Sequence, residues 1–270
     1  MEVFTKLIEE TKSLWLESSG RYLHGALSTI ELAVTATAIG CIIGLFCGII
    51  QTIPVKKDDN IVKKAIVGIA KTLVRIYVEV FRGTPMILQA VFIFYGLPYL
   101  TNKGIRLDVN PAAYFVVSIN TGAYMAETVR GGILSIDKGQ TEGAMAIGMN
   151  HFQTMLYVIL PQTVRNIIPQ IGNNLIINIK DTSVMFIIGF TELFAVHKGI
   201  VGANYKYFPS AIIEMGMYLA MTVLSSLLLR LWERKMAGPE TFDVATTDTL
   251  AHTSGMVHFT GRKKSQREER

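Results

Sequence analysis

The chain has 270 residues, and 26 Lys and Arg against 21 Asp and Glu give it a formal net charge of +5. Half of its residues are hydrophobic, only 17% are charged, and the mean hydropathy is +0.37. Soluble domains carry about 25% charged residues, so this composition argues against an ordinary soluble protein and predicts a membrane protein. The positive charges are distributed as in a protein oriented in a membrane, and we therefore expect no nucleic-acid partner.

The apolar residues form five blocks, each close to the ~20 residues that cross a bilayer. The third and fourth blocks contain polar residues that are costly on a helix facing lipid. We predict an all-α membrane protein with five transmembrane helices. The predicted spans cover residues 32–53, 84–100, 112–134, 164–190 and 211–231.

The Lys and Arg residues between these spans predict the orientation. The three connecting or terminal segments on one side hold 17 of them, and the three on the other side hold seven. Because cytoplasmic segments carry the excess of Lys and Arg, we predict an outside N-terminus and a cytoplasmic C-terminus. The 17 lie in segments 54–83, 130–165 and 233–270, and the seven in 1–25, 98–110 and 191–208.

The Lys-rich stretch 58–80 precedes the second predicted span and has apolar residues at helical spacing. A basic amphipathic helix of this kind commonly lies on the inner membrane surface, and we expect that position here.

The first predicted span carries small residues at every fourth position, namely Ala36, Gly40, Gly44 and Gly48. Such a seam allows the backbone of a second helix to approach closely, so we expect a tight helix–helix contact there.

The cytoplasmic loop after the third span carries the most specific motif. Glu142-Gly143-Ala144, then Gly148, then Val158-Ile159-Leu160-Pro161 resemble the EAA loop of ABC-importer permeases, with Gly143 and Val158 replacing the usual Ala and Ile. In that family the loop forms a short helix that docks in a groove of a cytoplasmic ATPase subunit. Small residues such as Ala144 and Ala146 are expected to let the partner approach closely. The predicted docking residues are Glu142, Gly143, Ala144, Gly148, Leu160 and Pro161.

A second motif narrows the resemblance. Tyr77–Pro85, which ends in Phe81-Arg82-Gly83-Thr84-Pro85, resembles the FRGTP segment of the polar-amino-acid uptake permeases. Further matches run in the order of that family from about residue 26 to residue 235. They include the blocks 122–133, 138–140 and 180–183.

This resemblance implies a type I ABC-importer permease core that dimerises with itself or with a similar subunit. It also implies cytoplasmic ABC ATPase subunits, an extracytoplasmic solute-binding protein, an amino-acid substrate and transport by alternating access. ATP-Mg is then used by the partner ATPase. The chain itself has no Gly-rich phosphate loop with Lys-Ser/Thr, and we expect it to bind no cofactor or metal and to hold no catalytic residue.

The fourth predicted span is interrupted by Lys180-Asp181-Thr182-Ser183, which we call the polar break. A break inside an apolar span is tolerated where it faces protein or a water-filled cavity. Asp181 is the candidate for the substrate's ammonium and Lys180 for its carboxylate, and backbone N–H groups freed near Thr182 and Ser183 offer another carboxylate site. The alternative is a Lys180–Asp181 pair that only stabilises helix packing.

Other candidate contacts lie elsewhere in the spans. Glu79 and Arg82 either pair with each other or contact substrate. Asn120 either bonds another helix or faces the cavity, because an unpartnered amide near the midplane is costly. Glu127 and Arg130 have the spacing of a structural ion pair.

The expected domain organisation has three parts: an extracytoplasmic or interfacial segment 1–24, a permease domain 25–236 with the docking loop at 135–161, and a disordered cytoplasmic tail 237–270. Two other functions stay open: an ion-driven secondary transporter, or a membrane scaffold that transports nothing. Neither explains the docking loop.

Overall fold

The structure, a computed structural model, describes residues 1–55, 57, 59–102 and 104–236. The predicted tail 237–270 lies outside these residues, as do Lys56 and Lys103 of the orientation count. Every regular element in the described residues is helical. The helices are α1 (Glu2–Thr52), α2 (Ile61–Gly83), α3 (Met86–Val91), α4 (Leu97–Leu100), α5 (Val109–Leu134), α6 (Lys138–Ala146), α7 (His151–Thr154), α8 (Leu160–Asp181), α9 (Leu193–Asn204) and α10 (Tyr207–Met236).

Three short helical stretches of other types continue these α-helices, and two of them join one α-helix directly to the next. A π-helical turn, Phe92–Gly96, connects α3 to α4, and a second one, Met155–Ile159, connects α7 to α8. Thr182–Ile188 continues α8 as a 3₁₀-helix and ends at Gly189, whose φ is +88°. The region of the polar break is therefore where the α-helix changes to the tighter 3₁₀ form.

Two helices, α1 and α10, are each long and apolar enough to cross a membrane. Two bent pairs meet the same criteria together: Ile61–Gly83 with Met86–Leu100, bent by 111°, and His151–Ile188 with Leu193–Asn204, bent by 52°. The 26 residues of α5 are long enough to span at about 1.5 Å per residue, although α5 is less apolar. Each of the five predicted spans is mostly helical, although the second begins two residues before α3 and the fourth ends two residues after the 3₁₀-helix.

The seam on α1 packs against α5, as predicted. A Cβ atom added at Gly40 would lie 2.7 Å from the side chain of Thr121, and one at Gly48 would lie 2.6 Å from Val129. One at Gly44 would overlap the side chain of Met125. Glycine is therefore required for these two helices to lie this close.

The amphipathic helix α2 exists, but the prediction that it lies on the inner membrane surface is wrong for its C-terminal part. The Tyr77 hydroxyl donates a 2.6 Å hydrogen bond to the carbonyl of Ile119, which lies in the middle of α5. The end of α2 therefore enters the helix bundle. Val78 is its one buried residue, so most of α2 projects from the rest of the chain.

Candidate functional site

The polar break places its four side chains in two different environments. Lys180 and Asp181 are exposed on the surface of this single chain, and no salt bridge within 4.0 Å joins them. Thr182 is fully buried and donates to the carbonyl of Ile179 at 3.1 Å, while Ser183 donates to that of Lys180 at 2.7 Å. Only the charged pair of the break is thus open to a ligand from the surface.

The backbone at the break is not free, contrary to our expectation. The N–H of Thr182 donates to the carbonyl of Asn178, because the chain continues from α8 directly into the 3₁₀ turn. A helix that continues in this way satisfies its own donors. The carboxylate site expected from freed N–H groups is therefore absent at Thr182.

A buried polar cluster lies one turn before the break, and sequence reasoning missed it. The side-chain amide of Asn178 on α8 donates to Thr37 on α1 at 2.8 Å and to Thr121 on α5 at 3.0 Å. Three helices are thereby fixed to one another at a common depth. Three polar residues in three separate apolar blocks were the signal, but their register is not readable from one sequence.

Asn120 bonds another helix rather than facing an open cavity. Its amide donates to the carbonyl of Phe81 at 3.1 Å and to the side-chain oxygen of Gln89 at 2.9 Å. Gln89 in turn donates to the carbonyls of Phe81 and Thr84, at 2.9 and 3.0 Å. These two amides thus bond the carbonyls of Phe81 and Thr84 at the 111° bend between α2 and α3, which we call the elbow.

The charged candidates of α2 do not pair with each other. Glu79 is exposed, and in the described residues no salt bridge joins it to Arg82. Arg82 lies 4.0 Å from Glu127 of α5, and its guanidinium carbon is 5.5 Å from the ring centre of Tyr124. Glu127 is bound more tightly by Arg130, at 2.7 Å, which is the predicted structural pair.

The docking loop folds as two short helices with well-defined ends. Asp137 caps α6 by accepting from the N–H of Gly139 at 2.7 Å. At the other end the N–H of Gly148 donates to Met145 and that of Met149 to Ala144, at 3.0 and 3.1 Å. This is the Schellman arrangement, which needs a left-handed residue; Gly148 supplies it with φ +86°.

The helix α7 begins at once after this turn. Asn150 and Gln153 form a reciprocal capping box, with both hydrogen bonds at 2.9 Å. Two capped helices in succession make the loop a defined shape rather than a flexible connection.

One of the residues predicted to meet the ATPase is not on the surface of this loop. Glu142, Gly143, Ala146, Gly148 and Pro161 are exposed and Leu160 is partly buried, but Ala144 is buried. Ala144 therefore packs against this chain and is not presented to a partner. The large exposed apolar side chains of this region are Met145, Ile147, Phe152, Leu156 and Tyr157.

A shallow groove of about 250 Å³ lies at the C-terminal end of the docking loop, lined by Tyr157, Val158, Pro161, Gln162 and Arg165. Apolar side chains at a groove rimmed by polar ones are typical of protein interaction sites.

At the far end of the bundle, α9 is held by a buried polar network that the sequence analysis also missed. Glu192 is completely buried and caps α9 by accepting from the N–H groups of Phe194 and Ala195 at 3.0 and 2.8 Å, and from Tyr218 at 2.7 Å. His197 shares the hydroxyl of Ser210 with Tyr22, at 2.8 and 2.6 Å. These contacts join α1, α9 and α10.

The chain resembles known transport proteins along most of its length. It is 36% identical over 214 residues to the glutamine transport system permease protein GlnP of Escherichia coli (strain K12), covering 79% of this chain and 92% of that one. It is 34% identical over 211 residues to the probable amino-acid permease protein YxeN of Bacillus subtilis (strain 168), covering 78% and 89%.

Two solved structures share its fold. A crystal structure of an amino acid ABC transporter with histidines is 33% identical, with a TM-score of 0.71, and the match covers 82% of this chain and 96% of that one. An inward-facing structure of the MetNI methionine ABC transporter is 19% identical, with a TM-score of 0.63 over 82% and 98% of the chains. The fold is therefore that of type I ABC-importer permeases.

The family model for the binding-protein-dependent transport system inner membrane component matches residues 61–238, which include α2, the docking loop and the polar break. The match covers more than half of the chain and agrees with the resemblance that the docking and FRGTP motifs carry. The chain therefore belongs to this family of transport-system membrane components.

Proposed function

We propose that the chain is the permease subunit of an ATP-driven importer that carries a polar amino acid across the bacterial cell membrane. The observation that carries this proposal is the exposed pair Lys180 and Asp181 within a membrane span. Two charges at such a position are costly in lipid and belong in a water-filled path. The two relatives named above, described as glutamine and amino-acid permeases, support an amino acid as cargo.

The two charges fit the zwitterion that every α-amino acid presents. Asp181 takes the ammonium and Lys180 the carboxylate. Ser183 and Thr182, whose hydroxyls already donate to backbone carbonyls, act by holding the turn. Glu79 is exposed on α2 and Asn120 supports the elbow, so we assign Glu79 to the entrance of the path and Asn120 to its wall.

Transport requires partners in this proposal. A second permease subunit, identical or similar, covers the open face of α8 and encloses the path. Two cytoplasmic ATPase subunits bind the loops around Glu142–Gly148 and hydrolyse ATP-Mg, while an extracytoplasmic binding protein delivers the amino acid. When ATP closes the ATPase pair, the loops move together and the path opens outward.

The test is uptake by the complete complex reconstituted in liposomes with ATP inside, using a panel of labelled amino acids. We expect uptake of at least one polar amino acid that depends on ATP and on the binding protein and persists when ion gradients are collapsed. Uptake that needs a gradient and no ATPase would establish the ion-driven transporter instead. A complex that transports none of the panel would refute the amino-acid assignment.

A further inference from the structure

Arg82 of the FRGTP segment occupies the last turn of α2, next to the elbow. Arginine at a helix C-terminus often serves only to complement the helix dipole. Here three carbonyls at this end already have other donors, because Gln89 and Asn120 both donate to Phe81, Gln89 also donates to Thr84, and the Thr84 hydroxyl donates to Val80. The Arg82 guanidinium is therefore not needed to bond these carbonyls.

The charges around Arg82 do not balance. Glu127 accepts three hydrogen bonds from Arg130, at 2.7 to 3.2 Å, whereas Arg82 approaches the same carboxylate only to 4.0 Å. Two guanidinium groups thus share one carboxylate, which leaves one positive charge in excess. Because the C-terminal part of α2 packs against the middle of α5, a lone charge there is costly unless it meets water or an anion.

The excess charge is accessible and held in place. The side chain of Arg82 is 43% exposed and that of Arg130 is 41% exposed. The ring of Tyr124, 5.5 Å from the Arg82 guanidinium carbon, restrains its position by a cation–π contact. A guanidinium presents a planar fork of N–H donors that matches a carboxylate with two parallel hydrogen bonds.

The Arg82 guanidinium lies closer to the docking loop than the polar break does. Asn178, one turn before the break, is level with Thr121 of α5 through their hydrogen bond. Tyr124 and Glu127 lie three and six residues further along α5 toward the docking loop, which corresponds to about 5 to 9 Å at the helical rise.

We propose that Arg82 is a second carboxylate-binding residue of the path, which takes the α-carboxylate of the amino acid at a point nearer the docking loop than Lys180. This inference rests on the proposed function. It restricts the cargo to solutes with a free carboxylate. Glu127 and Tyr124 act as positioning residues, since they hold the guanidinium without being needed to touch the ligand.

The experiment uses the permease–ATPase complex without its binding protein, because the binding protein would itself select carboxylates. Binding of labelled L-glutamine is measured, with unlabelled L-glutamine and L-glutaminamide, whose carboxylate is replaced by a neutral amide, as competitors. We expect Arg82→Gln to weaken glutamine binding by about ten- to a hundred-fold and to leave glutaminamide nearly unchanged. Arg82→Lys should show a smaller loss, because it keeps the charge and loses the fork.

Arg75→Gln, the same change two turns earlier on α2, is the matched control and should bind glutamine as wild type does. If Arg82→Gln fails to assemble with the ATPase, Arg82→Lys serves as the deciding variant. Equal loss of both ligands, or unchanged glutamine binding in the assembled variant, would overturn the role of Arg82 and leave the proposed function intact. Wild-type complex that binds no member of an amino-acid panel would instead overturn the proposed function, and this inference with it.

Discussion

The side-chain amide of Gln89 donates to the backbone carbonyl of Phe81 at 2.9 Å, across the elbow where α2 and α3 meet at 111°. The same amide donates to the carbonyl and the hydroxyl of Thr84. These carbonyls thereby receive donors where the helical ladder of α2 is interrupted. The buried Gln89 side chain thus supplies hydrogen-bond donors that the backbone of a further helical turn would otherwise supply.

Gln89→Leu should therefore destabilise the elbow. Leucine is of similar size, but it leaves the Thr84 carbonyl without its donor and removes one of the two acceptors of the Asn120 amide, at a cost of about 1–3 kcal/mol. We expect a lower Tm of the purified protein. Gln170→Leu makes the same change on the exposed surface of α8, and it should leave the Tm nearly unchanged. Equal Tm values for wild type and Gln89→Leu would show that water or lipid satisfies the elbow.

The helices in the five predicted spans were predictable because each apolar block is long, and the seam at Gly40, Gly44 and Gly48 was predictable because its period is that of a helix face. The helix α9 was missed since its 12 residues are too short for a span and its cap, Glu192, looks like an ordinary loop carboxylate in the sequence. Glu192 is buried and therefore caps α9 away from solvent, and this burial is not visible in the local sequence.

The candidate site was less predictable than the fold. Sequence spacing correctly paired Glu127 with Arg130, because both lie on one helix. It suggested Glu79 as the ion-pair partner of Arg82, whereas in the structure Arg82 lies 4.0 Å from Glu127 of α5. Contacts between helices depend on their register and crossing angle, and neither is encoded in local spacing. Ala144 is a similar case, since the face that α6 buries depends on its packing against the following segment.

The seam between α1 and α5 gives a stability prediction. Gly44→Ala places a methyl group against the side chain and backbone of Met125, and such overpacking costs about 1–3 kcal/mol. We expect a clearly lower Tm or a lower yield of folded protein. Gly20→Ala is the matched change on the same helix, where an added Cβ meets nothing within 4 Å. It should stabilise the helix by up to about 1 kcal/mol, so a loss of stability in both variants would refute the packing argument.

The docking turn gives a coupling prediction. Gly148→Asp forces a non-glycine residue to φ +86°, at about 1–3 kcal/mol of strain, and places a carboxylate on the surface proposed to meet the ATPase. We expect less ATPase to copurify and uptake to fall in proportion. Gly202→Asp on α9, where a Cβ also meets nothing within 4 Å, should copurify normally. Normal copurification and uptake in Gly148→Asp would exclude this turn from the interface.

The excess of Lys and Arg on one side, 17 against seven, gives an orientation prediction. Single cysteines at Ser13 and Gln153, both exposed, are introduced in a background without Cys41 and Cys47. An impermeant thiol reagent should label position 13 in intact cells and position 153 only after permeabilisation. The opposite labelling pattern would show that the protein has the inverted orientation, with a cytoplasmic N-terminus.

Asp181→Asn tests the polar break. Asp181 is exposed in the single chain and forms no salt bridge with Lys180 within 4.0 Å, so its neutralisation should not disturb folding or assembly. If Asp181 binds the ammonium of the amino acid, one charge-assisted hydrogen bond is lost. Such a bond contributes about 1.5–3 kcal/mol, which corresponds to a half-saturation concentration roughly ten- to a hundred-fold higher.

The measurement is uptake against substrate concentration, normalised to assembled complex, together with basal ATPase activity. Basal hydrolysis should be retained, because the docking loop belongs to α6 and α7 and lies at the opposite end of α8 from Asp181. Asp108→Asn, the same change at an exposed residue before α5, should leave both quantities unchanged. A fall in the amount of assembled Asp181→Asn complex, with unaltered half-saturation in what remains, would assign the carboxylate to packing. In that case the second permease subunit, rather than the amino acid, would be the partner that compensates for its charge.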